Sequence, residues 1–425
     1  MTEHGTSPTG TVVLIGGRAE REFEVLRDLG YRILYLDKRV PLQIMGWVDV
    51  PIDVDVDNWD AVASTVSAHL GTETPAAVLT HVEPRIPLMT HLAERLLPKP
   101  VGLTADAARN CRDKWRTRSV LEEAGLPVPR FGLAADTRDA SRIARELGFP
   151  VVVKPRDGAG GFGVRRCESV EEVRSAAKAI LEEASPEALP GVLVEEYLDG
   201  PEYAVQTLSQ SGVTQVLSVL RQHMTEPPVF VELGYDYPSG LPDAEVEQLG
   251  AMVSSALAVL GIHDWISHTQ VRKCADGFRI VEVNARRPGG RLVEMTEAVS
   301  GVDMIEAVTA IALGLPVGVR EPFASRAKYR SVVFDQAGTL LYRVPSSVPA
   351  TVPPIVEIEV PSGDTVHPVD HPEGGVYGRI VVFGDTAEEL NSIESAVRTE
   401  LDIQVIQVDE LKLVGADSRE FKSCC

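Results

Sequence analysis

Apolar and polar positions change period repeatedly along the first hundred residues. "TVVLIGG", from Thr11, is apolar at successive positions, which suits a strand covered on both faces. "AEREFEVLRDLG" spaces its apolar residues three and four apart and ends on Gly30, the pattern of an amphipathic helix with a glycine stop. "YRILYLD" reads as a strand, "WDAVASTVSAHLG" as a helix, "AAVLTHVE" as a strand and "PLMTHLAERLL" as a helix. Strand and helix in strict turn predict a parallel, doubly wound sheet over residues 1–104.

Beyond it, "ARNCRDKWRTRSVLEEAG" predicts one helical segment stopped by Gly125, and "DASRIARELG" a second helix. "VVVKP" is a β-branched strand that opens into "RDGAGGFG" and closes on the short strand "VRRC". Ser169 and Glu172 form a capping box that starts the helix "VEEVRSAAKAILEEA". "GVLVEEYLDG" and "EYAVQTLS" read as strands on either side of a Gly200-Pro201 turn, and "VTQVLSVLRQ" as another. A long helix follows Pro242. "WISHTQVRKC" and "FRIVEVNARR" form a hairpin through "ADG". From about Pro316 strand and turn dominate, and "RIVVFG", "TAEELNSIESAVRTEL" and "IQVIQV" predict a β-α-β unit. There is no internal repeat and no low-complexity linker.

With 425 residues, 44% of them hydrophobic and 24% charged, the chain reads as two or three globular domains. A formal charge of −21 argues against a nucleic-acid or anionic-membrane partner, since phosphate polymers need basic surface. Any phosphate site must therefore be assembled locally. Cys111, Cys167, Cys274, Cys424 and Cys425 show no metal spacing, which predicts a reduced, cytoplasmic protein with a disordered Ser-Cys-Cys tail. The opening decapeptide lacks a leader pattern, and no apolar run approaches the ~18–20 residues of a membrane span.

Gly158, Gly160 and Gly163 match G-x-G-x-x-G, yet the flanking residues exclude its usual settings. A dinucleotide turn needs a helix beginning inside the glycines, and here a strand comes first. A kinase loop has its lysine on a later strand, whereas Lys154 precedes the glycines. A Walker loop closes on Gly-Lys-Ser/Thr, which is missing. What remains is a hairpin with a flexible glycine flap and Lys154 at its base, able to offer backbone N–H groups and one ammonium to a polyphosphate. Gly16-Gly17 lacks the dinucleotide spacing and reads as a tight strand–helix turn.

The order of these elements resembles the ATP-grasp superfamily. "RDKWRTRSVLEEAGLPVPRF" resembles its first ATP-contacting segment, the glycine flap its lid, "VLVEEYLDGPEY" its adenine hinge, and "SHTQVR" with "RIVEVNARRPGGR" its metal-binding strands. The match runs from about Ala105 to Pro316. It implies an α/β and α+β molecule: a doubly wound N-terminal domain (1–104), an ATP-grasp domain (105–318, lid about 130–198) and a C-terminal α+β subdomain (319–425). Strand alternation puts Glu282, Asn284 and Arg286 on one face and groups His268, Gln270 and Arg272.

The resemblance also implies roles. ATP would meet Lys114, Lys154, Gly160, Gly161, Phe162, Glu195, Glu196, Tyr197, Leu198 and Glu202, with Glu195 toward the adenine amino group and Glu202 toward the ribose. Mg²⁺ or Mn²⁺, which take oxygen ligands, would be held by Glu282, Gln270 and Asn284. Gln270 stands where most members carry a carboxylate, as in carbamoyl-phosphate synthetase. Arg286 and Lys154 would be catalytic. "HTQ" and "ARRPGG" look most like L-amino-acid ligases, which implies acid and amine substrates, a possible homodimer, and substrate contacts at Glu232, Tyr235, His268, Arg286, Arg287, Gly289 and Gly290. Tyr235 replaces the histidine of their Glu-x-x-His pair. The expected activity is ATP-dependent carboxylate–amine ligation through an acyl phosphate. The alternatives are an enzyme using bicarbonate or a nucleotide precursor, and a silent nucleotide-binding regulator. His81, Glu83 and Arg85 follow a strand end where such sheets often bind ligands, although ordinary loop polarity explains them as well. His367 and His371 read as loop histidines.

Overall fold

In the computed structural model residues 9–407 are described, except 159, 160, 162, 186, 187, 227–229, 346, 347 and 372. Gly160, Phe162, Cys424 and Cys425 lie outside the described residues. The chain divides into two units, Met1–Gln222 with Tyr237–Phe323, and His223–Asp236 with Ala324–Cys425.

The first unit begins with β1 (Thr11–Ile15), α1 (Glu20–Asp28), β2 (Arg32–Asp37), β3 (Val50–Asp53), α2 (Trp59–Leu70), β4 (Ala77–Leu79) and α3 (Ile86–Leu96). Its strands run in the order β3-β2-β1-β4, all parallel, as the alternation of strand and helix predicts. The short β3, "VPID", lacks an apolar run, and its pairing with β2 is a tertiary contribution. Gly16 and Gly17 both have positive φ, and a Cβ on Gly17 would lie 2.2 Å from Glu22 Oε2.

The single helix expected over residues 108–125 is two, α4 (Ala105–Arg112) and α5 (Lys114–Glu123). Asp113 breaks the run: it is extended (φ −93°, ψ 103°) and its carboxylate accepts from the Trp115 and Arg116 N–H groups as the N-cap of α5. A pattern reading misses such a break because helix-forming residues stand on both sides of Asp113.

A second sheet holds β5 (Phe131–Ala134), β6 (Val151–Pro155), β7 (Arg165–Cys167) and β8 (Val192–Glu196), in the order β5-β8-β6-β7, with α6 (Thr137–Leu147) and α7 (Val170–Glu183). β6 and β7 are the expected hairpin, pairing antiparallel from Val151 with Cys167 to Val153 with Arg165. Its core is separate and small, built on Val151, Val153, Val173, Val192 and Val194. The Ser169 hydroxyl accepts from the Glu172 N–H at 3.3 Å, closing one half of the capping box.

Four further strands of this unit run β13-β12-β9-β10: β9 (Glu202–Gln210), β10 (Val213–Met224), β12 (Trp265–Cys274) and β13 (Gly277–Asn284). They are accompanied by α8 (Asp243–Leu260), α9 (Leu292–Ser300) and α10 (Met304–Ala312). β11 (Glu232–Tyr237) falls almost wholly in the second unit. One apolar cluster joins the parallel sheet, α4, α8, α10 and β12–β13, which fixes the ends of all these elements against each other.

In the second unit the strands run β11-β14-β18-β16, with β14 (Arg326–Val332), β16 (Ile355–Ile358) and β18 (Gly378–Gly384). A separate sheet holds β15 (Gly338–Leu341), β17 (Thr365–Val366) and β19 (Gln404–Ile406) in the order β17-β15-β19. The expected β-α-β unit is thereby corrected. β18, α11 (Ala387–Leu401) and β19 occur in that sequence, but β19 pairs antiparallel with β15 and shares no sheet with β18. Local pattern specifies a strand and leaves its partner open.

Candidate active site

The flap base is held by a buried charge triad. Lys154, next to last in β6, has its side chain inside the unit, where Nζ donates to Glu195 Oε2 at 2.6 Å. Arg118, fully buried on α5, donates from Nε to Glu195 Oε1 at 2.6 Å and from Nη2 to the Val281 carbonyl. Burial works to raise the Glu195 pKa, but the two cations outweigh it and hold the carboxyl below its ordinary range. The Lys154 pKa is lowered, because burial and the neighbouring Arg118 and Lys114 charges together exceed the attraction of Glu195. The Glu195 carboxylate is thus already engaged by protein cations.

Lys114 reaches the same neighbourhood from the first turn of α5. Its Nζ donates to the Gly158 carbonyl at 2.7 Å and lies 2.9 Å from Glu282 Oε1. Arg156, two residues past Lys154, makes a bidentate pair with Asp113 (2.8 and 2.6 Å), and its carbonyl accepts from the Lys114 N–H. The residue that breaks the helix therefore also ties it to the flap. Burial acts to raise the Glu282 pKa, yet Lys114, Lys154 and Arg286 bring it down to about 2.

β12 and β13 bring their polar residues into register. Gln270 pairs with Glu282 and His268 with Asn284, so each pair shares a face. A bulge follows, where Val271 faces Ile280 and the ladder skips one residue. The Gln270 amide N–H₂ donates to Gln222 Oε1 at 3.3 Å, which leaves its carbonyl oxygen as the atom to offer a cation. Buried His268 stands 3.0 Å from the Gln206 side-chain amide, and burial with the Arg286 charge pushes its pKa down to about 3, so it is a neutral imidazole at ordinary pH. With Glu282, Asn284 and Gln270 together, the donor set is oxygen and carries one charge, which fits a hard divalent cation.

The hinge is engaged from both sides. Glu202 pairs with Arg272 across the β9–β12 ladder at 2.9 Å, and Arg272 also donates to the Leu198 carbonyl at 2.7 Å. Burial raises the Glu202 pKa against the pull of Arg272. The Tyr197 ring faces the Arg166 and Arg272 guanidiniums at 4.6 and 5.6 Å. Its N–H donates to the Pro150 carbonyl. Glu196 points to the flank, paired with Arg130.

Arg286 and Arg287, just past β13, reach back to the parallel sheet. Arg286 Nε donates to Glu83 Oε2, and Arg287 Nη2 to Glu22 Oε1 at 2.8 Å. A cavity of about 180 Å³ opens here, lined by Glu83, Pro84, Ile86 and Pro87 at the end of the sheet, Ala108, Cys111 and Arg112 of α4, Gly158 of the flap, and Asn284, Ala285 and Arg286. His81 is buried beside Arg287 with both ring nitrogens unpartnered, and burial lowers its pKa to about 3. Gly289 and Gly290 are exposed before α9. Gly161 has φ +73°.

The structure thus gathers Lys114, Lys154, Glu195, Glu282, Asn284, Gln270, His268 and Arg286 within the first unit. Glu232 and Tyr235 fall in the second, where Tyr235 Oη donates to Glu232 Oε2 at 2.6 Å. The sequence reading missed Arg118, Asp113 and Arg156, and left Glu83 undecided. Only Arg118 had a signal: it lies four residues after Lys114 and so on the same helix face. Ion pairs made between distant segments leave none.

Residues 147–295 match the family profile described as the ATP-grasp domain. A D-alanine–D-alanine ligase of Pseudomonas fluorescens is 32% identical over 223 residues, covering 49% of this chain and 64% of that protein. A Sinorhizobium fredii protein is 28% identical over 264 residues, covering 61% of this chain and 54% of its own length. The chain thus spans less than two thirds of these two curated relatives. Among solved structures, the L-amino acid ligase of Bacillus licheniformis superposes with a TM-score of 0.76 at 23% identity, over 95% of this chain and all of that one. Likeness at that identity bears on the fold, which is the ATP-grasp fold, mixed α/β with one parallel sheet and antiparallel sheets.

Proposed function

We propose, from the premise that this chain carries an ATP-grasp domain, that it is an ATP-dependent carboxylate–amine ligase joining two small substrates, with amino acids as the leading pair. The observation that carries the reading is the convergence of Lys114, Lys154, and Glu282 with Arg286 from three separate segments, with Arg286 lining the cavity.

Each of these cations now faces a carboxylate or lies beside one: Lys114 meets Glu282, Lys154 meets Glu195, and Arg286 meets Glu83. A triphosphate entering the site competes for the ammonium of Lys114, the more open of the two lysines. Mg²⁺ or Mn²⁺ held by Glu282, Asn284 and Gln270 would neutralise phosphate charge when bound. Glu195 and Arg118 act as positioning residues that fix Lys154. The substrate carboxylate oxygen attacks the γ-phosphorus, ADP departs, and the resulting acyl phosphate is attacked by an amine nitrogen. Inorganic phosphate leaves and the nitrogen loses a proton. Both steps build negative charge on oxygen, which fixed cations stabilise better than an acid–base pair. Lys114, Lys154 and Arg286 supply them. The glycine flap excludes water, which would otherwise hydrolyse the acyl phosphate.

The test is a phosphate-release screen over acid and amine pairs, with L- and D-amino acids in separate arms and mass spectrometry of products. An amide with stoichiometric ADP and phosphate supports the reading. A carboxylated product from bicarbonate moves the assignment to a carboxylase, and ATP binding without ADP release for any pair makes the chain a silent nucleotide binder.

A further inference from the structure

The second unit carries a group of side chains with no part in the chemistry above. His367, His371 and Glu373 sit on the loop between β17 and β18, and one ligand atom from each lies within 4.8 Å of the other two. His367 Nε2 stands 3.3 Å from Glu373 Oε2. The two imidazole rings stack with centroids 4.5 Å apart and planes 12° from parallel.

We propose that this loop is a binding site for one divalent transition-metal ion of the zinc class, with His367, His371 and Glu373 as ligands and water completing the shell. Zinc–nitrogen and zinc–oxygen bonds of about 2.0–2.2 Å at tetrahedral angles set donors roughly 3.3–3.5 Å apart. The His367–Glu373 pair already has that spacing. His371 and Glu373 are exposed, so the remaining closure of about an ångström takes only side-chain rotation. Two imidazoles and one carboxylate suit Zn²⁺, whereas Mg²⁺ prefers oxygen throughout.

The loop backbone is fixed for this purpose. Tyr377 Oη accepts from the His367 N–H at 2.8 Å and lies within hydrogen-bond reach of the His367 and Glu373 carbonyls. The His371 N–H donates to the Pro368 carbonyl at 3.0 Å, and the Gly374 N–H to the His371 carbonyl at 2.8 Å. A Cβ on Gly374 would fall 1.7 Å from the Pro368 oxygen, so glycine is required to bring Glu373 back toward His367. His371 Nδ1 accepts from the Glu373 N–H at 3.1 Å, so the rotation that brings Nε2 to a metal also releases this bond and lets Nδ1 take the ring proton. Metal there fastens the end of β17 to the approach of β18.

The experiment titrates Co²⁺ into the full chain, without a histidine tag and with excess Mg²⁺, and follows the visible bands of tetrahedral cobalt. One Co²⁺ per chain, displaced by Zn²⁺, is expected for the wild type and for Glu282→Ala. His371→Ala should weaken binding more than about tenfold. Its unchanged melting in EDTA shows that the exposed substitution leaves the fold intact. Absence of binding, equal binding by His371→Ala, or loss in Glu282→Ala overturns the site.

Discussion

Two lysines converge on one site, and each faces a glutamate, yet the pairs are built differently. The Lys154 and Glu195 side chains are 7% and 4% exposed, and buried Arg118 braces the carboxylate from its other side. The Lys114 and Glu282 side chains are 14% and 23% exposed and have no such brace among the described residues. A buried, doubly held pair resists rearrangement because any unpaired member faces a low-dielectric surrounding. A half-open pair can exchange partners at low cost, since water reaches both groups. On the proposed function, the first pair holds Lys154 fixed for the chemistry, and the second is where an incoming phosphate and a cation would divide the partners between them.

Lys154→Ala gives the largest effect, about a hundredfold to a thousandfold loss of ADP release, as for removal of one fixed donor to a developing charge. Its fold stays intact because Arg118 still satisfies Glu195. Wild-type turnover in this variant would remove Lys154 from the chemistry. Glu195→Gln tests the scaffold: it leaves two buried cations without an anion, and urea denaturation should show a loss of about 3–5 kcal/mol. A loss below 1 kcal/mol would mean the triad is hydrated and the contrast with Lys114 is empty.

A finer comparison sits on the metal strands. Glu282→Ala should depress metal-dependent turnover about tenfold more than Gln270→Ala, since a charged ligand is worth roughly 1–2 kcal/mol more than a neutral one. Equal, negligible effects would place the cation elsewhere. The smallest signal is in acid. The Glu282 carboxyl, near 2 when folded against an ordinary 4.5, contributes stability that is complete above pH 4.5 and lost as pH falls toward 2. The stability gap between the wild type and Glu282→Gln should therefore narrow over that window. A gap that is constant with pH would deny the Lys114–Glu282 pairing in solution.

Periodicity along the chain was enough for the parallel sheet, the β6–β7 flap and the β12–β13 hairpin. In each case a local pattern of period two or 3.6 meets a clear turn signal, so short-range sterics and burial choose the conformation. Strand alternation likewise grouped Glu282 with Asn284, and the observed register adds Gln270 opposite Glu282. Tertiary structure alone decided three things. Asp113 caps α5 locally, and Arg156 from the flap holds the same carboxylate and so fixes where the helix breaks. β19 joins β15 and leaves β18, because backbone hydrogen bonds accept any strand that packing delivers. Arg118, Glu83 and Glu22 find their partners 77, 203 and 265 residues away. Charge pairing depends on distance in space, and a linear sequence carries no measure of it.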